Sequence, residues 1–175
     1  MKGFMKKAEV LVLAIIMTCG IAFANTTHRI IYNLDGGMIT SDFVRYMGYT
    51  EVAELPTAEK ENYVFEGWSD GNQIVTQLHH ISKTIHLQAV WTPCVYSVTF
   101  LDQGNEISKT NYTYGQGLSD LSVYSKAIQE NHPYEDFKGW SEDGSTIINA
   151  LTSEDSGDKA LTALFEGRTI LFLTT

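Results

Sequence analysis

The chain is poor in cysteine and in basic charge, and each shortage closes off a class of function. It carries two cysteines, Cys19 and Cys94. Cys19 falls in an N-terminal leader, so the chain that follows the leader holds Cys94 alone. A single thiol makes no intramolecular disulfide. Cys94 is then either a partly buried linker thiol or a bridge to another chain, and stability must come from packed cores. Basic residues number 12 against 21 acidic ones, a formal charge of −9. The leader takes three lysines and Glu9, which leaves 9 against 20, or −11. A chain so acidic repels phosphate backbones and has no basic cluster to release counterions, which argues against nucleic acid as a partner. Binding to an anionic membrane face is disfavoured for the same reason. The charge favours solubility outside the cell.

The motifs of chemistry are also missing. There is no Gly-x-Ser-x-Gly elbow, no phosphate-cradling glycine loop and no dinucleotide fingerprint. Asp35, Asp70, Asp102 and Asp143 precede or lie near glycines, yet none has the alternating ligands and closing glutamate of a calcium loop, so they read as turn aspartates. His79, His80 and His86 are the candidate metal ligands. Adjacent strand residues point to opposite faces, so His79 and His80 would not share one ion without a bend, and solvated or half-buried histidines are the expectation. No catalytic residue, cofactor or metal is expected, and the chain reads as not an enzyme.

Residues 1–24 have the form of a secretory signal. Lys2, Lys6 and Lys7 open it, an apolar run follows, and Ala22-Phe23-Ala24 fits a small-x-small cleavage pattern between Ala24 and Asn25. The alternative is an uncleaved anchor, although the uncharged run is shorter than the ~20 residues of a spanning helix. The chain is therefore expected to be secreted, periplasmic or displayed at a bacterial cell surface, with no membrane insertion after cleavage.

What is present after the leader is present twice. Ile30 to Gly37 is answered by Val98 to Gly104, the block Phe65-Glu66-Gly67-Trp68-Ser69-Asp70-Gly71 by Phe137-Lys138-Gly139-Trp140-Ser141-Glu142-Asp143-Gly144, and Leu87-Gln88-Ala89-Val90-Trp91 by Leu161-Thr162-Ala163-Leu164-Phe165. The offsets are 68, 72 and 74 residues, in constant order. A period of about 70 residues means two small modules rather than a short-repeat solenoid. The boundaries are 25–92 and 95–167, with Thr92-Pro93-Cys94 between them and a C-terminal extension over 168–175. Each module is small enough to be marginal alone, and its buried aromatic rings offset part of that deficit.

Period-two alternation predicts strands at Ile30–Leu34, 85–91, 96–101 and 161–165, with further strands over 44–52, 63–68, 106–114 and 137–140. Asp35-Gly36-Gly37 and Asp102-Gln103-Gly104-Asn105 are turns. Residues 74–80 suit a short strand or a helical turn. Leu121, Tyr124 and Ile128 allow a helix of about three turns over 119–131, ended by Pro133. Residues 154–158 form an acidic loop, and residues 169–173 an extra edge strand or a flexible end. In an extended Phe-x-Gly-Trp block, Phe65 and Gly67 face one way and Trp68 the other. The glycine leaves a gap to be filled by a neighbour, or marks a bulge. Trp68 and Trp140 are expected in cores; the alternative is an exposed platform for sugar rings.

The pattern Tyr32-Asn33-Leu34-Asp35-Gly36-Gly37, Leu55-Pro56, Tyr63-x-Phe65-x-Gly67-Trp68, Asp70-Gly71 and Leu87-x-Ala89-x-Trp91 resembles the Listeria–Bacteroides repeat, the B-repeat of internalin-type surface proteins. The match is close over residues 28–91. Residues 96–166 resemble a diverged copy that keeps Phe137, Gly139, Trp140 and Leu161-x-Ala163, lacks the Leu-Pro, and ends in Phe165. The resemblance implies a β-rich α+β fold of two tandem β-grasp-like (ubiquitin-like) modules, serving as spacers, adhesion modules or signalling ligands, and it carries over no catalytic residue. The expected function is a non-enzymatic surface interaction or spacer module, adhesin-like, with a protein or glycan partner and with edge strands or Cys94 as routes to a homodimer. The alternative is an envelope protein that binds or hydrolyses glycans.

Overall fold

A computed structural model describes residues 26–168. The leader, the Ala24–Asn25 cleavage position and the apolar stretch at 169–173 lie outside the described residues.

The first half builds nine strands, most of them short. They are β1 (Thr27–Asn33), β2 (Met38–Ile39), β3 (Tyr46–Gly48), β4 (Val52–Glu54), β5 (Ala58–Glu59), β6 (Tyr63–Ser69), β7 (Ile74–Val75), β8 (Gln77–His79) and β9 (Ile85–Pro93). The main sheet runs β3-β1-β9-β6-β7, with two ribbons, β2-β5 and β4-β8, beside it. β1 and β9 are parallel, although they start and finish the module, and every other pair is antiparallel. The second half builds β10 (Val95–Asp102), β11 (Asn105–Thr113), β12 (Glu135–Ser141) and β13 (Lys159–Gly167). Their order is β11-β10-β13-β12, again with the first and last strands parallel and side by side.

Alternation decides what each sheet buries. Ile30, Leu87 and Ala89 turn inward with Trp68, Met47 and Leu78 to make one apolar cluster. Val98, Phe100, Leu161, Tyr112, Leu121, Ile128, Trp140 and Leu151 make the other. The clusters share no residue. The molecule is thus β-rich, and its described helix is confined to a 3₁₀ turn at Ser122–Tyr124 and four residues at Lys126–Gln129.

Several expectations are corrected. The strand over 44–52 is two strands in two sheets. Gly48 N–H donates to Glu51 Oε2 and Glu51 N–H returns to Gly48 O, which reverses the chain between them. Residues 74–80 resolve into β7 and β8. The three-turn helix is cut to two single turns. Leu121 O is drawn to the Trp140 indole, and Ser125 bonds back to Ser122 O through both N–H and Oγ, a local pairing that competes with a regular helix. Between the two main sheets, β9 runs through Pro93 and β10 begins at Val95, so Cys94 alone lies between these strands.

Candidate functional site

The repeated Phe-x-Gly-Trp block is built the same way in both halves. In β6 the register slips between Phe65 and Gly67, and in β12 between Phe137 and Gly139. The bulge cancels strict alternation, so Phe65 reaches the same side as Trp68, with ring centroids 5.5 Å apart; Phe137 meets Trp140 at 5.3 Å. Both tryptophans are 1% exposed. Trp68 Nε1 donates to Pro56 O at 2.7 Å and Trp140 Nε1 to Leu121 O at 2.9 Å, so each indole satisfies its one donor inside the core. Gly67 has φ +135° and Gly139 φ +152°, and Ile74 or Ile147 closes over each where a Cβ would stand.

The following turns also match. Asp70 Oδ1 accepts N–H bonds from Asn72 and Gln73. Asp143 Oδ1 accepts them from Ser145 and Thr146, and its carboxylate also takes the hydroxyls of Ser141, Ser145 and Thr146. The Thr146 and Ser145 N–H groups hold the Asp143 carboxyl well below the usual carboxylate range. Gly71 and Gly144 take φ +96° and +78° just after these blocks, open to solvent, a conformation glycine adopts without strain. The aspartates therefore act as turn staples.

The third shared element is the closing ring. Trp91 lies half-buried against Phe65, its Nε1 bonded to Leu34 O at 3.0 Å. Asp35 and Gly36 turn the chain with φ 47° and 86°. A Cβ at Gly37 would strike the Trp91 ring and come 2.8 Å from Glu59 O, so this glycine is set by the indole's approach. In the second half Phe165 replaces the tryptophan, and Asn105 stands 68 residues after Gly37.

Beside Trp91 an open groove of about 540 Å³ is lined by Gly37, Met38, Glu59, Lys60, Tyr63 and Phe65. Lys60 Nζ lies 4.4 Å from the Tyr63 ring centroid, 5.9 Å from that of Trp91 and 3.5 Å from Asp35 Oδ2. At the matching place in the second half stands His132, buried at 6% exposure. Its ring stacks on Phe165 at 3.8 Å, Nδ1 lies 2.6 Å from Glu135 Oε2, and Nε2 lies 3.0 Å from Asp102 Oδ2. Lys60 and His132 escape a reading by motif. The signal that finds them is their spacing of 72 residues, the same as between Trp68 and Trp140.

His79 and His80 are exposed, with rings 6.4 Å apart, and His86 is exposed on β9. Among the described residues, no group of three His, Cys, Asp or Glu could hold a metal ion, and no helix is long and apolar enough to cross a membrane. Cys94 is half-buried and unpaired at the single-residue joint.

Residues 28–89 match the family model of the Listeria-Bacteroides repeat domain. No curated protein matches the chain. Among solved structures, one similar chain is that of Streptococcal High Identity Repeats in Tandem (SHIRT) domains 3-4 from a cell surface protein. It is 12% identical, with 80% of this chain and 95% of that chain covered, at a TM-score of 0.21, a value too low to carry a fold assignment.

Proposed function

We propose that the chain is an exported, non-enzymatic tandem-repeat protein that works at a cell surface as an adhesin-like spacer and interaction module. Its two modules span 25–92 and 95–167 after a signal peptide, and each is of the β-grasp type. The observation that carries this reading is the recurrence of one sheet plan, with first and last strands parallel at the centre, around indoles that are buried and hydrogen-bonded. Such a plan spends its aromatic residues on two cores and leaves sheet edges and open sheet faces as the surfaces offered outward. The edge strand β11, nine residues long, is the longest of these edges and suits pairing with an extended segment of a protein partner. The match of residues 28–89 to a repeat domain supports the same reading.

The glycan reading needs bare tryptophans beside a cleft. Trp68 and Trp140 are unavailable for that role, which leaves half-buried Trp91 alone. The test is surface labelling of producing cells, followed by titration of the mature chain with a glycan panel while indole fluorescence and sugar release are followed. External labelling with unchanged fluorescence supports a surface protein module. A chain retained inside the cell overturns the reading, as does saturable quenching or glycan cleavage.

A further inference from the structure

Lys60 and His132 occupy one duplicated seat. Each sits beside the ring that closes its module, Trp91 or Phe165, and each meets an aspartate from neighbouring rather than matching positions of the repeat, Asp35 in the turn after β1 or Asp102 at the end of β10. The occupants differ in chemistry and in setting. Lys60 and Asp35 are open, with side chains 23% and 68% exposed, whereas His132 and Asp102 are 6% and 13% exposed. A lysine keeps its charge through neutrality, and a histidine does not.

The His132 seat demands the charged ring. Carboxylates face both nitrogens, Glu135 from the start of β12 at Nδ1 and Asp102 from the end of β10 at Nε2. As an imidazolium, His132 donates an N–H to each. A neutral ring keeps one N–H, so its other nitrogen turns a lone pair toward a carboxylate, either Asp102, 13% exposed beside a ring 6% exposed, or Glu135, whose side chain is 45% exposed. The remaining neighbours carry no charge to offset this. From β13 comes the Phe165 ring, and from the short helix comes Gln129, whose amide donates to His132 O and Glu135 O. Hydrogen bonds to Asp102, then to Glu135, push the imidazole up from its ordinary value.

We propose that His132 is a pH-operated latch, which as an imidazolium ties residues 129–135 to the β10–β11 hairpin and to β12, and which lets that segment go when it loses its proton. The second module then responds to alkaline pH through a device the first module lacks. The sign follows from the raised value. The stabilisation is complete below about 6.5, the ordinary histidine value, and is lost as pH rises through the higher folded-state value.

The test is an NMR pH titration of the mature chain from pH 5.5 to 9.5, reading the His132 ring and the amides of residues 102–105 and 129–135. The expected result is a ring midpoint above about 6.5, with amide shifts and faster hydrogen exchange of 129–135 following the same midpoint after correction for intrinsic rates. The variant His132→Lys, which installs the first module's residue, is expected to remove the pH-dependent step. A ring midpoint at or below about 6.5, or a segment whose protection ignores the ring's titration, overturns the latch. Because the wild-type titration is decisive on its own, a His132→Lys chain that fails to fold leaves the proposal testable.

Discussion

At the residue scale, two glycines and two tryptophans do matching work in separate cores. Gly139 stands at φ +152° with Ile147 over its open side. Gly139→Ala would push a methyl into that side chain and strain the backbone, so a loss of about 1–3 kcal/mol is expected in urea unfolding. Gly67→Ala should cost a similar amount, since Ile74 Cγ2 lies 2.6 Å from where its Cβ would be. Equal stability of either variant with the parent would refute this account of the bulge. Trp140→Phe removes the donor to Leu121 O and leaves a void in a site 1% exposed. A loss of about 2–4 kcal/mol is expected, combining cavity and hydrogen-bond effects. Calorimetry would read it as a lowered transition.

At the element scale, the turn after β12 depends on one carboxylate. Asp143 ties the backbone and hydroxyls of Ser145 and Thr146 and the hydroxyl of Ser141, which is fully buried. Its carboxyl is held low, so its contribution is present above the ordinary carboxylate range and disappears as pH falls through the folded-state value. Asp143→Ala should therefore lower the urea midpoint at pH 7 and have a smaller effect in acid. A variant equally weakened at pH 7 and pH 2 would argue for lost packing instead. The glycine turns follow a similar local logic. Gln103 and Gly104 take φ 49° and 83°, and as two consecutive left-handed residues they match the twist of β10 and β11, which they join as a hairpin; Asp35 and Gly36 take 47° and 86° in the turn from β1 to β2, strands that pair with other partners. The second module keeps this turn geometry with glutamine in place of aspartate.

At the scale of the whole molecule, one residue separates two sheets, and hydrogen bonds grip it from both sides. Cys94 N–H donates to Asn62 O at 2.9 Å, and Tyr114 N–H donates to Cys94 O at 3.0 Å. Tyr96 Oη adds a bond to Asn62 Oδ1 at 2.8 Å, and Tyr63 meets Tyr114 edge to face at 5.6 Å. Burial and then a hydrogen bond with the Cys94 thiol push the Tyr96 phenol up from its ordinary value. Such a joint resists bending in proportion to the bonds across it. Tyr96→Phe should leave both melting transitions nearly unchanged while broadening the distribution of distances between spin labels placed one on each module. An unchanged distribution would mean that the backbone bonds alone set the angle. The second module ends in the same way, with Arg168 N–H bonded to Tyr134 O at 2.8 Å, at the offsets that relate the two modules elsewhere.

The sequence by itself determined the repetition, the positions of the long strands, the glycine turns and the apolar residues that fill the cores. Those features are local: alternation places Leu87 and Ala89 inward wherever the strand goes, and a left-handed residue pair turns the chain whatever lies beyond. Only the tertiary structure decided that Phe65 and Trp68 share a face, because a bulge shows itself by the register of a partner strand 26 residues away in Trp91. It also decided that the region of 119–131 folds as two short turns, since the Trp140 indole competes for Leu121 O across the core. The pairing of Lys60 with His132 was hidden for the same reason. A seat made by a ring, a carboxylate and a cation on separate strands is a long-range object, and its members come together only after the sheets have closed.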